Sequence, residues 1–324
     1  MINMMKNEYN LKLTVSSSPH LVTDMSTSKI MRYVIISLLP ALAVSTYVFG
    51  FRAVTLTAVC VISCVIMEYL FNLMVKRKQT IGDFSAVVTG MLLAYNLPSN
   101  FPYWMAMIGS FVAIVIVKQL FGGIGKNLVN PAITARVVLL VSFPAAMTSW
   151  PLPGTSGADA VTGATPLGIL AEGGGSMPSN MDLFLGNVGG SMGEVSALAL
   201  LIGFAFLLWK KIVSPIIPAC YIGTVFIFAL AAGQDPIFHV LAGGVVLGAC
   251  FMATDYVTTP VLPLGKVIFG VGCGVVTMAI RLFGNYPEGV SYSILLMNIL
   301  VPHIDNFCTG LIYKKTGKIR EGAK

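Results

Sequence analysis

Between residues 159 and 167 the sequence reads Asp159-Ala160-Val161-Thr162-Gly163-Ala164-Thr165-Pro166-Leu167. Glycine and small side chains are expected to leave the Thr165 hydroxyl sterically open, and Pro166 biases the residue before it towards extended backbone. A hydroxyl on a restrained, open turn is a good acceptor for a modifying enzyme. The same composition also suits an ordinary Gly-rich surface loop, and the loop alone does not separate the two.

A second group of residues is notable for where it lies. Glu68, Arg136, His303 and Asp305 fall within long apolar runs. Ionisable side chains there are costly and usually functional. Glu68 or Asp305 is therefore a candidate for binding a translocated ion, the alternative being an internal ion pair, with Arg136 as the partner to consider. Asp83 and Asp255 sit at the ends of apolar runs and read as helix-terminus residues. In the stretch Phe121-Gly122-Gly123-Ile124-Gly125-Lys126-Asn127, followed by Asn130-Pro131, the glycines permit close backbone approach, and Asn127 and Asn130 could hydrogen-bond a flat heterocycle. A tight turn after a helix explains the same residues. The Gly122–Gly125 pattern follows an apolar run rather than a strand, so a dinucleotide-binding reading is rejected. The six cysteines show no paired CxxC spacing and read as small apolar packing residues, and His239 stands alone beside Asp235.

The elements that must position these residues are membrane helices. The chain is 56% hydrophobic and only 10% charged, with a mean hydropathy of +0.84. A soluble domain carries roughly a quarter charged residues, so most of this surface must face lipid. Residues 1–30 are polar and carry no early apolar core of the signal-peptide kind. The apolar runs predict ten spans, near 33–50, 53–75, 84–97, 103–121, 131–147, 194–209, 215–232, 238–254, 264–283 and 291–313. A straight crossing needs roughly 20 apolar residues. The third and eighth runs are shorter and read as interrupted helices.

Charge orients the spans. The net charge is +7, but the basic residues cluster at span ends, as in Lys76-Arg77-Lys78 and Lys210-Lys211, which argues against nucleic acid. With both termini cytoplasmic, 18 of the 20 Lys and Arg lie on or near the inner side, leaving Arg52 and Arg281 outside. The long segment 148–192, which holds Thr165, has neither Lys nor Arg and is thereby expected outside. A shift of 162 residues aligns Gly82 with Gly244, Pro98 with Pro260, and Leu120-Phe121-Gly122 with Leu282-Phe283-Gly284. Five spans per half is an odd number, so the second half is expected to be inverted relative to the first, as in proteins that build an ion site near the midplane. The expected layout is a cytoplasmic segment 1–32, a five-helix repeat over 33–147, the outer loop 148–192, a second repeat over 193–313 and a cytoplasmic tail 314–324.

Asp159, Thr162, Gly163, Ala164 and Thr165 together resemble the flavinylation motif, in which a transferase joins FMN through a phosphoester to the last Thr. Other segments extend the likeness: Asn130-Pro131-Ala132, Ser142-Phe143-Pro144, Met147-Thr148-Ser149-Trp150, Ala253-Thr254-Asp255, Ile280-Arg281-Leu282-Phe283-Gly284, Tyr286-Pro287-Glu288-Gly289-Val290, Met297-Asn298 and Pro302-His303-Ile304-Asp305. Over nearly its whole length the chain resembles the RnfD/NqrB family, its RnfD members most closely. The resemblance implies an all-α subunit of the bacterial cytoplasmic membrane carrying covalent FMN at Thr165. It implies a complex that couples ferredoxin and NAD redox chemistry to Na⁺ or H⁺ movement, with other membrane and peripheral subunits, iron–sulfur and flavin subunits among them, handling ferredoxin and NAD. It also implies a second, non-covalent flavin, riboflavin, within the helical bundle. Without the motif, a secondary transporter lacking redox chemistry or a structural scaffold subunit would suit the same spans.

Overall fold

The computed structural model describes residues 25–154, 162–172, 177–284 and 289–322, and these are mostly helical. In a continuously apolar segment the backbone must satisfy its own polar groups, and an α-helix does so internally. Among the described residues four helices, Thr27–Phe49, Phe51–Met74, Pro263–Phe283 and Val290–Tyr313, are long and apolar enough to cross a membrane. They leave aliphatic side chains such as Ile36, Ile62, Leu73, Val267 and Leu296 exposed, a surface suited to lipid rather than water. The chain is a multi-pass membrane protein of the all-α class.

Helix α1 (Thr27–Phe49) starts on Ser26, whose hydroxyl accepts from Lys29 N at 3.3 Å, and α2 (Phe51–Met74) follows after one glycine. A 3-10 turn (Ile81–Asp83) leads into α3 (Ser85–Tyr95). Helix α4 (Tyr103–Phe111) runs on as a π-helical segment, Val112–Gln119. Helix α5 (Pro131–Ser142) is followed by the single turn α6 (Pro144–Met147). Between them and the second half, two-residue strands Trp150–Pro151 and Thr162–Gly163 pair antiparallel, ahead of α7 (Pro166–Glu172) and α8 (Asn180–Leu185). The second half holds α9 (Ala197–Trp209), α10 (Ile216–Ala231), α11 (Pro236–Leu241), α12 (Val245–Leu247) with a π-helical extension Gly248–Met252, α13 (Pro263–Phe283) and α14 (Val290–Gly322).

The short third and eighth runs take different forms. Helix α3 stops after 11 residues. Its terminal carbonyls are met by the chain at 192–193: Gly193 N donates to Tyr95 O at 2.9 Å and Met192 N to Leu97 O at 3.1 Å. The eighth run is cut into α11 and α12 at Gly243 and Gly244, whose φ of 65° and 72° only glycine adopts without strain. The halves meet where α1 lies against α9. Gly203 allows that approach, since a methyl there would overlap the Ser37 carbonyl oxygen.

Two ends of the bundle can be told apart. The start of α1 meets the 81–83 turn, where Ser28 Oγ donates to Gly82 O at 2.8 Å. Its far end meets the 148–192 segment, where Gly154 N donates to Val48 O at 3.2 Å.

Candidate functional sites

At the 148–192 end, Thr165 begins α7. Its Oγ1 accepts from Gly168 N at 3.1 Å, its carbonyl accepts from Ile169 N at 2.9 Å, and the residue is only 9% exposed. The expectation of an open hydroxyl is corrected here. The extended backbone that Pro166 imposes on Thr165 is also the geometry of a helix N-cap, and proline suits the first helical position, so Thr-Pro starts a helix and draws the hydroxyl into it. Of the neighbouring motif residues, Thr162 and Ala164 are exposed and Gly163 is half-buried. Asp159 lies outside the described residues.

Beneath α7, a cavity of about 160 Å³ is lined by Leu167, Leu170, Gln234, His239 and Arg281. The Arg281 guanidinium donates to the carbonyls of His239 (2.5 Å), Ala242 (2.8 Å) and Gly243 (3.3 Å). A helix end leaves such carbonyls without partners, so a buried cation closes the C-terminal side of the break after α11. His239 turns its Nε2 to Gln234 Oε1 at 3.0 Å. On the surface nearby, the Asn180 amide donates to Asp235 at 3.0 Å, which holds that carboxyl below its ordinary pKa.

Further in, Arg136 on α5 donates to Asn96 Oδ1 (3.0 Å), Ser291 Oγ (3.0 Å) and Glu194 Oε1 (3.3 Å). It thus ties together the end of α3, the start of α14 and the segment before α9. Glu194 lies in space that a side chain on Gly244 would fill. Among the described residues the carboxylate paired with Arg136 is therefore Glu194, not Glu68. Sequence reasoning does not single out Glu194; a lone carboxylate at the edge of the sixth apolar run is the available signal.

At the opposite end a cavity of about 270 Å³ opens between α1, α3, α9 and the 120–131 turn. Its wall is mainly aliphatic, with Ser85, Lys118, Asn127, Asn130, Thr254 and Asp255 among the polar groups. Asn127 and Asn130 are thus brought together. Asn130 caps α5, its Oδ1 accepting from Ala132 N (3.0 Å) and Ile133 N (3.3 Å), and its amide donates to Met252 O at 3.1 Å. Among the described residues the other N–H of that amide has no acceptor, which leaves it for a ligand. The Asn127 amide donates to Val129 O at 3.1 Å. The Gly-rich stretch is a tight turn, with positive φ at Gly122, Gly123 and Gly125, and its Ile124 and Asn127 form part of the cavity wall.

Behind the wall lies Glu68, 0% exposed on α2. It is paired with Lys118 (3.0 Å) and accepts from Gln119 (2.9 Å) and Thr80 (2.5 Å). The π-helical segment turns two successive side chains, Lys118 and Gln119, to one carboxylate. Lys118 also donates to Ser85 Oγ at 2.6 Å, and Ser85 Oγ to Asp83 Oδ1 at 2.5 Å. Asp83 accepts from Ser85 N at 2.8 Å as well, at the start of α3. In the sequence Lys118 reads only as a span-end cation. Asp305 has other surroundings: half-buried on α14, it accepts from Val261 N at 3.2 Å, and His303 is exposed.

Residues 14–314 match the family described as NQR2, RnfD, RnfE. The chain belongs to that family. It is 55% identical over 318 residues to a subunit of the Na(+)-translocating ferredoxin:NAD(+) oxidoreductase complex of Acetobacterium woodii, covering 97% of this chain and 99% of the relative. A subunit of the proton-translocating ferredoxin:NAD(+) oxidoreductase complex of Clostridium ljungdahlii is 46% identical over 310 residues, covering 91% and 94%. A subunit of the ion-translocating oxidoreductase complex of Stutzerimonas stutzeri is 40% identical over 334 residues, covering 90% and 94%. All three relatives bear the same designation, D, within their complexes. The likeness to these members of the NQR2, RnfD, RnfE family therefore runs through both halves and both cavities.

Proposed function

We propose that the chain is the flavin-bearing membrane subunit of a bacterial ion-translocating ferredoxin:NAD oxidoreductase complex, moving electrons across the bilayer. The observation that carries this reading is the near end-to-end match with the corresponding subunits of two such complexes. Those two relatives are named for complexes that move different ions, Na⁺ and H⁺.

The outer site fits a covalently held FMN. Thr165 Oγ1 stands at the first turn of α7, with exposed Thr162 and Ala164 beside it and the Arg281 cation packed beneath the same helix. An ester phosphate on that oxygen would bring its negative charge to the helix N-terminus, where it is favoured. The inner cavity fits the ring of a second flavin, riboflavin. Its aliphatic walls suit a flat heterocycle, and Lys118, Asn127, the free N–H of Asn130 and Asp255 supply donors and an acceptor for the ring edge. A bound flavin supplies one- and two-electron chemistry; the chain's share is to hold and orient it. Glu68 and Asp305 stay the candidates for coupling an ion. The remaining carriers, iron–sulfur and flavin, belong to partner subunits.

The ten-span, inverted-repeat layout in the cytoplasmic membrane, termini inside, is part of the same proposal. At an offset of 162 residues α1, α2, α3, α4 and α5 fall in order on α9, α10, the α12 segment, α13 and α14, which supports a repeat. The burial of the Thr165 hydroxyl favours one rival, a scaffold subunit without flavin. In-gel ultraviolet fluorescence of the denatured chain from its native host separates the two. A fluorescent band that vanishes in Thr165→Ala is expected; no band in the unsubstituted chain would favour the scaffold.

A further inference from the structure

We propose that Asp83, Ser85 and Lys118 form a proton-entry line from the cytoplasmic surface to the inner cavity, with Lys118 handing the proton to an acceptor held there. The inference rests on the reading that this cavity holds a reducible carrier of the flavin class.

The line is continuous. Asp83 is partly exposed at the 81–83 turn, Ser85 and Lys118 are buried, and the two links measure 2.5 Å and 2.6 Å. Ser85 and Lys118 both line the cavity, and Lys118 is the cationic side chain on its wall. A buried ion pair needs only a carboxylate for its ammonium, and Glu68 provides it. The additional contact of Lys118 goes to a hydroxyl, the group that can both give and take a proton. That hydroxyl in turn meets a carboxylate at the surface. Among the described residues, the other charged or titratable groups around Lys118 include Cys64 on α2, Asp255 and Tyr256 across the cavity, Arg77 (3.4 Å from Gln119 O) and Arg32 on α1, stacked 5.5 Å from the Phe84 ring. Among these described groups, only Asp83 is joined to Lys118 through a bridging hydroxyl.

Each electron arriving from the redox reaction of the complex adds one negative charge to the cavity. Lys118 Nζ releases one proton to the acceptor and becomes a neutral amine. The Asp83 carboxylate takes a proton from solvent; the Ser85 hydroxyl turns, gives its own proton to Nζ and takes that one from Asp83, which is left again as the carboxylate. Protons and electrons then balance one for one, and Glu68 restores the preference for the ammonium.

The test uses the intact membrane complex. Ser85→Ala breaks the line without altering charge, Asp83→Asn removes its mouth, and the paired Glu68→Gln/Lys118→Met variant removes the relay without leaving a lone buried charge. Acid-extracted, non-covalent flavin is counted first. The single-turnover rate of its reduction by reduced ferredoxin is then measured in H₂O and D₂O. Flavin content is expected to be unchanged in Ser85→Ala and Asp83→Asn and lower in the paired variant, which also loses a donor to the ring edge, with the rate per bound flavin down about tenfold or more in Ser85→Ala and the paired variant, as for loss of a general acid. The solvent isotope effect should increase, and formate should restore the rate in Asp83→Asn. Flavin-replete variants with native rates and an unaltered isotope effect would overturn the relay. A native complex without extractable flavin would instead overturn the reading of the cavity, and the relay with it.

Discussion

Arg136 shows how a single residue ties this fold together. It is buried, pairs with the Glu194 carboxylate, and among the described residues reaches three separate segments. Arg136→Met would strand the Glu194 carboxylate, and removing one member of a buried pair typically costs about 3–5 kcal/mol. Heating the detergent-solubilised protein and scoring the monodisperse fraction should show that loss, and adding Glu194→Gln should recover much of it. Arg136 and Glu68 stand out in the sequence because charge in an apolar run is rare. Their partners do not, because Lys118 and Glu194 lie near span ends, where charge is commonplace. The motif around Thr165 is legible from its small side chains. The burial of its hydroxyl is not, since that depends on whether the next seven residues form a helix, and their composition leaves this open.

Among the elements, the long helices are legible because unbroken apolar runs allow little else. The ends are less so: α1 begins at Thr27, within a stretch that reads as polar, and the described residues of the 148–192 segment carry two short helices and a strand pair. The π-helical segment over 112–119 leaves no trace in composition, yet it aims Lys118 and Gln119 at Glu68. Contacts between helices are equally hidden, because an isolated glycine in an apolar run looks like any other. Gly203 is a case to test. Gly203→Val would force α9 away from the Ser37 carbonyl, and overpacking of this kind costs about 1–3 kcal/mol. The expected result is a lower midpoint of thermal inactivation in detergent, with Gly223→Val on α10, where the space around the glycine is open, as the neutral control.

For the whole molecule, the proposed function puts two redox sites at opposite ends of one bundle. The outer site hangs from α7 and the inner one is walled by α1, α3, α9 and the 120–131 turn. The proposed topology has the termini inside, so a fluorescent protein fused after Lys324 should fold and fluoresce, while a periplasmic-type phosphatase at the same point should be silent. The reverse pattern would invert the assignment of the two ends. The cofactor at Thr165 decides more. Intact-mass analysis of the chain purified from its native host is expected to show the added mass of one FMN less water, with fragmentation locating it on Thr165. An unmodified mass for the fully processed chain would contradict the flavin-bearing role.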